Sequence, residues 1–160
     1  MFSNELTWWR CYPGRFPGRP GIAWKCRNEE TKILIVDEEI VVLSAAQLML
    51  SRYGYQALVA QSAAEALRFL EPWPAQPIDL AIIDIVMPNI DGFELADRIR
   101  EMRPELPILF MSGYARSPRL RLDKIASQPL LSKPFSSVNL ISTIRTILDA
   151  RKQHSSGASE

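Results

Sequence analysis

Residues 31 to 150 predict an α/β domain, a doubly wound parallel sheet of five βα units, and three features of the sequence lead there. Short apolar runs alternate with longer stretches of helical period, the pattern of strands joined by crossover helices. Helix-start signals of the form Ser-x-x-Glu or Asp-x-x-Glu open two of the longer stretches. Charged and hydroxyl side chains gather at the C-terminal ends of the runs, where sheets of this class bind their ligands.

Taken in order, Lys32 to Val36 is the first strand, a Lys followed by four large aliphatics. Ile40 to Arg52 reads as a helix that ends before Gly54, and Tyr55 to Ala60 as the second strand. Ser62-Ala-Ala-Glu65 forms a capping box for the second helix. Asp79 to Asp84 is the third strand; Met87-Pro88 ends it and shapes the loop, and Gly92 lets the chain enter the helix that Asp91-Gly-Phe-Glu94 opens. Leu106 to Met111 is the fourth strand, a helix is expected near Pro118 to Ser127, and Pro129 to Leu131 is the fifth strand. Leu140, Ile141, Ile144, Ile147 and Leu148 fall at offsets 0, 1, 4, 7 and 8, one face of a last helix. The crossovers are expected to be right-handed.

The ends of the chain have a different composition. Residues 1–30 hold Trp8, Trp9 and Trp24 and the near-repeat Pro13-Gly-Arg-Phe-Pro17-Gly-Arg-Pro-Gly21, without a period that would bury an apolar face. A flexible N-terminal arm is expected there, either a docking peptide or a leader that packs against nothing. Residues 151–160 read as a disordered tail. The 160 residues carry a formal net charge of only +1 and no block of like charge, which argues against an electrostatic grip on nucleic acid. No apolar run approaches a membrane span and no signal sequence is evident, so no membrane association and a cytoplasmic location are expected. Cys11 and Cys26 lie outside any CxxC and His154 is the only histidine, too few soft ligands for zinc. Without G-x-G-x-x-G after the first strand, or a P-loop, a dinucleotide or nucleotide fold is disfavoured.

The strand ends bring Asp37, Glu38, Asp84, Ser112 and Lys133 to one rim. Clustered acids repel one another, and a hard divalent cation such as Mg2+ removes that repulsion while needing only one or two protein carboxylates. An ionised carboxylate beside it can attack phosphorus and form an aspartyl phosphate, with Asp84 as the candidate. The transferring phosphoryl group keeps negative charge on its equatorial oxygens. A cation, a lysine and a hydroxyl suit it, and Mg2+, Lys133 and Ser112 are the candidates.

Four stretches, Ile33-Leu-Ile-Val-Asp37-Glu38-Glu39, Ile82-Ile-Asp84-Ile-Val-Met87-Pro88-Asn-Ile-Asp-Gly92, Phe110-Met-Ser112-Gly-Tyr-Ala115 and Leu131-Ser-Lys133-Pro134-Phe135, resemble the response-regulator receiver domains of two-component signalling. The resemblance implies the flavodoxin-like strand order 2-1-3-4-5. It implies that Asp84 is the phosphoacceptor, that Asp37 and Glu38 hold Mg2+ directly or through water with the backbone carbonyl of Val86, and that Ser112 and Lys133 contact the phosphoryl group. It also implies a cis bond between Lys133 and Pro134. A histidine kinase or a histidine phosphotransfer protein would be the phosphodonor, and the chain a stand-alone receiver whose partner preference changes on phosphorylation.

Two departures from the family pattern stand out. Glu38 replaces the commoner aspartate, and Leu130 replaces the aromatic that swings inward in the switch, with Tyr114 either a substitute aromatic or a loop residue that shields the site. Arg116, Arg119, Arg121 and Lys124 form a local basic cluster, although residues 31–150 carry 12 basic and 14 acidic side chains; either a solvated face or a dock for an acidic protein surface fits it. Two rivals remain. A phosphorylation-independent interaction module is motivated by Leu130. An aspartate-nucleophile phosphohydrolase calls for an acid two residues after Asp84, where Val86 stands.

Overall fold

The computed structural model describes residues 31–71, 77–113 and 128–156, with the side chains of 152–156 excepted. These residues lie within the compact unit Thr31–Glu160. The elements are β1 (Lys32–Val36), α1 (Ile40–Arg52), β2 (Gln56–Ala60), α2 (Ala63–Leu70), β3 (Leu80–Asp84), α3 (Gly92–Met102), β4 (Ile108–Ser112), β5 (Leu130–Ser132) and α4 (Ser137–Ser156). The expected helix near Pro118 to Ser127 falls outside the described residues. All strand pairs are parallel and the order is β2-β1-β3-β4-β5, the flavodoxin-like order the resemblance implied.

Strand boundaries move by one or two residues from their sequence-predicted positions, each time for a hydrogen-bonding reason. Tyr55 still donates its N–H to the Leu50 carbonyl of α1, so β2 begins at Gln56. Asp79 donates its N–H to the Lys32 carbonyl at 2.8 Å while its carboxylate accepts the Lys32 N–H at 2.9 Å, closing on a single residue of β1, and β3 begins at Leu80. Pro107 and Pro129 have no N–H to give a ladder, and β4 and β5 start immediately after them. Both strands run one residue further than expected because Ser112 pairs with Ser132 and the Ser112 carbonyl accepts the Lys133 N–H at 2.8 Å.

Side-chain alternation sorts the strands into two apolar layers. Ile33, Ile35, Leu80, Ile82, Leu109, Met111 and Leu131 pack with Leu43, Ala46 and Leu50 of α1 and Leu140, Ile141 and Ile144 of α4. Leu34, Val36, Ala81, Ile83 and Phe110 pack with α2 and α3 through Ala66, Leu70, Phe93, Leu95 and Ile99. The Phe93 and Phe110 rings meet at 4.9 Å, tilted by 47°, within the favoured range for aromatic pairs. A sheet apolar on both faces must be covered on both, and this holds the strand ends in fixed register.

The helix starts follow the sequence signals, with one change in the first capping box. The Ser62 hydroxyl accepts the Glu65 N–H at 3.2 Å, and the Glu65 carboxylate accepts the N–H of Gln61, one residue ahead of the cap. Asp91 accepts the Glu94 N–H at 2.8 Å, while Glu94 pairs with Arg98 at 2.9 Å instead of reaching back. The last helix corrects the expectation of a tail beginning at 151. Its backbone continues through Ser156, and Arg151 donates to the Asp79 carbonyl at 3.2 Å, an anchor that apolar periodicity does not reveal. No helix among the described residues is long and apolar enough to cross a membrane.

Candidate functional site

Continuing the strand rows past their ends explains which side chains meet. Asp37 follows Ile33 and Ile35, Asp84 follows Leu80 and Ile82, and Lys133 follows Leu131, so all three extend the rows that face α1 and α4. They converge at the C-terminal rim. Asp37 is 0% exposed; its Oδ1 accepts the Glu39 N–H at 2.9 Å and its Oδ2 accepts from the Lys133 ammonium at 2.5 Å. Lys133 reaches Asp84 Oδ2 at 3.3 Å, so one amine bridges two carboxylates that lie 47 positions apart in sequence, and the Lys133–Asp37 bond spans 96 positions. Lys133 and Pro134 are joined by a cis peptide bond.

Asp84 is 5% exposed and Ser112 is 1% exposed. Burial pushes the Asp84 carboxyl above its ordinary range; the Lys133 charge opposes this, the Asp37 charge adds to it, and the Lys133 and Val86 N–H hydrogen bonds lower it again. For Lys133, burial acts to lower the affinity for its proton. The hydrogen bond to Asp37 and the charges of Asp84 and Asp37 more than offset that, and the ammonium is held above its ordinary value. Two buried carboxylates against one ammonium leave one unit of negative charge uncompensated. That deficit and the hard oxygen donors fit a divalent cation of the Mg2+ type.

Of the sequence-predicted residues, Asp37, Asp84 and Lys133 come together directly, and Ser112 is tied to Lys133 through the backbone. Glu38 is exposed at the start of the loop before α1, and no group of three acids poised for a metal occurs among the described residues. Val86 is half-buried, with its N–H on Asp84. Leu130 is partly buried against the α2/α3 layer. Tyr114, Arg116, Arg119, Arg121 and Lys124 lie outside the described residues.

Two contributors carried no side-chain signal. The Glu39 N–H fixes Asp37 from the backbone, and Gly92 gives the Asp84 carbonyl its space: a Cβ there would fall on that oxygen and on Ile85 Cα. The Gly92 N–H also donates to the Ile85 carbonyl at 3.0 Å, drawing the start of α3 against the end of β3. The expected help in entering the helix is thus also a close backbone approach that excludes any side chain.

Residues 33–145 match the family described as response regulator receiver domain. The sensor kinase CckA of Brucella abortus is 34% identical over 120 residues, 74% of this chain and 12% of that protein. The transcriptional regulatory protein CseB of Streptomyces avermitilis is 33% identical over 130 residues, 81% of this chain and 53% of that protein. The chain therefore spans about half or less of these relatives. Among solved structures, a receiver domain protein (CheY-like) from Methanospirillum hungatei superposes with a TM-score of 0.70 at 27% identity, covering 79% of this chain and 99% of that one. The receiver domain of the hybrid histidine kinase CckA gives 0.61 at 33% identity, covering 73% and 98%.

Proposed function

The chain belongs to the response regulator receiver domain family of two-component signalling, and from that premise we propose that Asp84 accepts a phosphoryl group from a histidine kinase or a histidine phosphotransfer protein. The observation that supports this most strongly is the single, partly buried amine of Lys133 spanning Asp37 and Asp84. An oxygen of the Asp84 carboxylate forms the new bond to phosphorus as the bond from phosphorus to the donor imidazole breaks and its electron pair returns to the ring nitrogen. Asp37, Glu38, Asp84 and the Val86 carbonyl would hold Mg2+, which supplies positive charge to the phosphoryl oxygens when bound. Lys133 adds a point charge to the same oxygens, and the Ser112 hydroxyl donates a hydrogen bond to them. Phosphorylation then changes which protein this domain prefers, in place of turnover of a substrate.

Mass spectrometry after incubation with a small acyl phosphate tests the reading. A Mg2+-dependent, acid-stable and base-labile gain of one phosphoryl group is expected on the native chain and none on Asp84→Asn. Equal modification of both would remove Asp84 as acceptor. A second reading, an interaction module indifferent to phosphorylation, is favoured by Leu130 standing in place of an aromatic; equal partner affinity with and without the phosphoryl group would select it. For a downstream partner we propose an acidic protein surface meeting Arg119 and Arg121. Charge reversal at both positions is expected to abolish that contact, and an interaction left intact would exclude it.

A further inference from the structure

We infer that the open edge of the sheet along β2 pairs with β2 of a second copy of this chain, antiparallel and centred on Leu58, joining two five-stranded sheets into one in a weak symmetric dimer. The inference goes beyond the receiver reading and does not depend on the phosphoryl chemistry.

The direction of the backbone groups comes first. β2 stands at the end of the strand order; its Gln56 N–H donates to the Thr31 carbonyl at 3.0 Å, and its Ala60 carbonyl accepts the Asp37 N–H at 3.1 Å. Along a strand, alternate residues turn their N–H and C=O groups to the same side, so Gln56, Leu58 and Ala60 serve β1. The N–H and C=O groups of Ala57 and Val59 therefore point out of the sheet, and no other element among the described residues bonds them.

The same edge lacks the usual protection. Residues 53–64 contain no charged side chain and no proline, whereas exposed edges are ordinarily blunted by charge, by proline or by shortness. The opposite edge has all three: β5 is only three residues long and lies between Pro129 and Lys133-Pro134. Apolar surface also remains to be covered along β2, where Ala57, Leu58 and Val59 are half-buried and the neighbouring Tyr53 is exposed.

A second copy is the occupant that fits, because the edge is complementary to itself. With a two-fold axis at Leu58, Ala57 faces Val59 of the second copy and Val59 faces its Ala57, and each facing pair exchanges two N–H···O bonds. Every outward group of both copies is then satisfied. Since the run is uncharged, no like charges meet across the axis, while a charged peptide would find no counter-charge here. A contact built on one strand pair lies at the low end of interface sizes, below roughly 1,200 Å², so a dissociation constant of about 0.1 mM is expected.

Sedimentation equilibrium on the full chain, from about 10 µM to about 1 mM to bracket that constant, tests the pairing together with amide hydrogen exchange at both ends of the range. The mean mass is expected to rise toward twice that of one chain, and exchange at Ala57 and Val59 to slow with concentration while the amides of β3 keep their rates. Ala57→Pro removes an outward N–H, leaves the bonds of Gln56, Leu58 and Ala60 to β1, and puts its ring in the path of the second strand; it is expected to stay monomeric throughout. A native chain monomeric at the highest concentration overturns the dimer and leaves the edge to a different protein. Exchange at 57 and 59 that is independent of concentration overturns it too, as does a dimer that persists in a folded Ala57→Pro. Should Ala57→Pro fail to fold, the exchange rates of the native chain decide alone.

Discussion

Asp84 is placed where its own ionisation is unfavourable, and this gives it a measurable signature. Burial raises its proton affinity in the folded protein, with Asp37 adding to the effect, so the native state binds that proton more readily than the unfolded chain does. The stability associated with the neutral acid is therefore fully present below the unfolded value, near the ordinary 3.8, and is lost as pH rises through the higher folded value. Asp84→Asn, which stays neutral throughout, is expected to be more stable than the native chain at pH 7. Its advantage should shrink toward pH 4, as urea midpoints at the two pH values would measure. A second prediction concerns Val86, whose half-buried side chain has no group to orient a water for attack on the aspartyl phosphate. Val86→Asn is expected to speed hydrolysis about tenfold, less than the roughly 10²–10⁴-fold of a general base because an amide orients water without taking its proton; an unchanged decay rate would mean that water is oriented elsewhere.

Elements set the site by how closely they approach. The start of α3 lies against the end of β3 because residue 92 has no Cβ, and the Asp84 carbonyl and Ile85 Cα occupy the space a methyl would need. Gly92→Ala must push helix and strand apart, and its expected destabilisation is about 1–3 kcal/mol, the range of strained overpacking. Phosphorylation of Asp84 should slow with it, since the displaced backbone carries that side chain. Losing the Asp91 cap is milder. Asp91→Ala removes one exposed hydrogen bond to the Glu94 N–H and is expected to cost about 1 kcal/mol, with little change in phosphorylation. The two caps were legible because hydroxyl or carboxylate followed by glutamate at the third position is a local pattern. The boundaries at 56 and 80 were less so, since one depends on Tyr55 bonding back to the end of α1 and the other on Asp79 meeting Lys32, 47 positions away.

At the scale of the whole molecule, the five-strand order came only with the family resemblance, and the convergence of residues 37, 84 and 133 could be read from strand-end position, whereas the pairing within the site could not. Spacing brings Lys133 to the rim but cannot say that it bonds more closely to Asp37 than to Asp84, because that depends on the path of an amine between two carboxylates packed by different strands. Glu38 illustrates the same limit: adjacent to Asp37 in sequence, it is exposed while Asp37 is buried. The site exists only when three strand ends are held in register, with Lys133 and Asp37 separated by 96 positions, so the unfolded chain offers a cation no comparable cluster. Binding must then add directly to folding stability. At a hundredfold excess of Mg2+ over its Kd the native chain should gain about 2.7 kcal/mol, seen as a higher urea midpoint with an unchanged slope. EDTA should reverse the gain. Asp37→Asn, which removes one carboxylate and leaves Lys133 on Asp84, should lose most of it; a Mg2+ shift of equal size in that variant would locate the bound cation away from this rim.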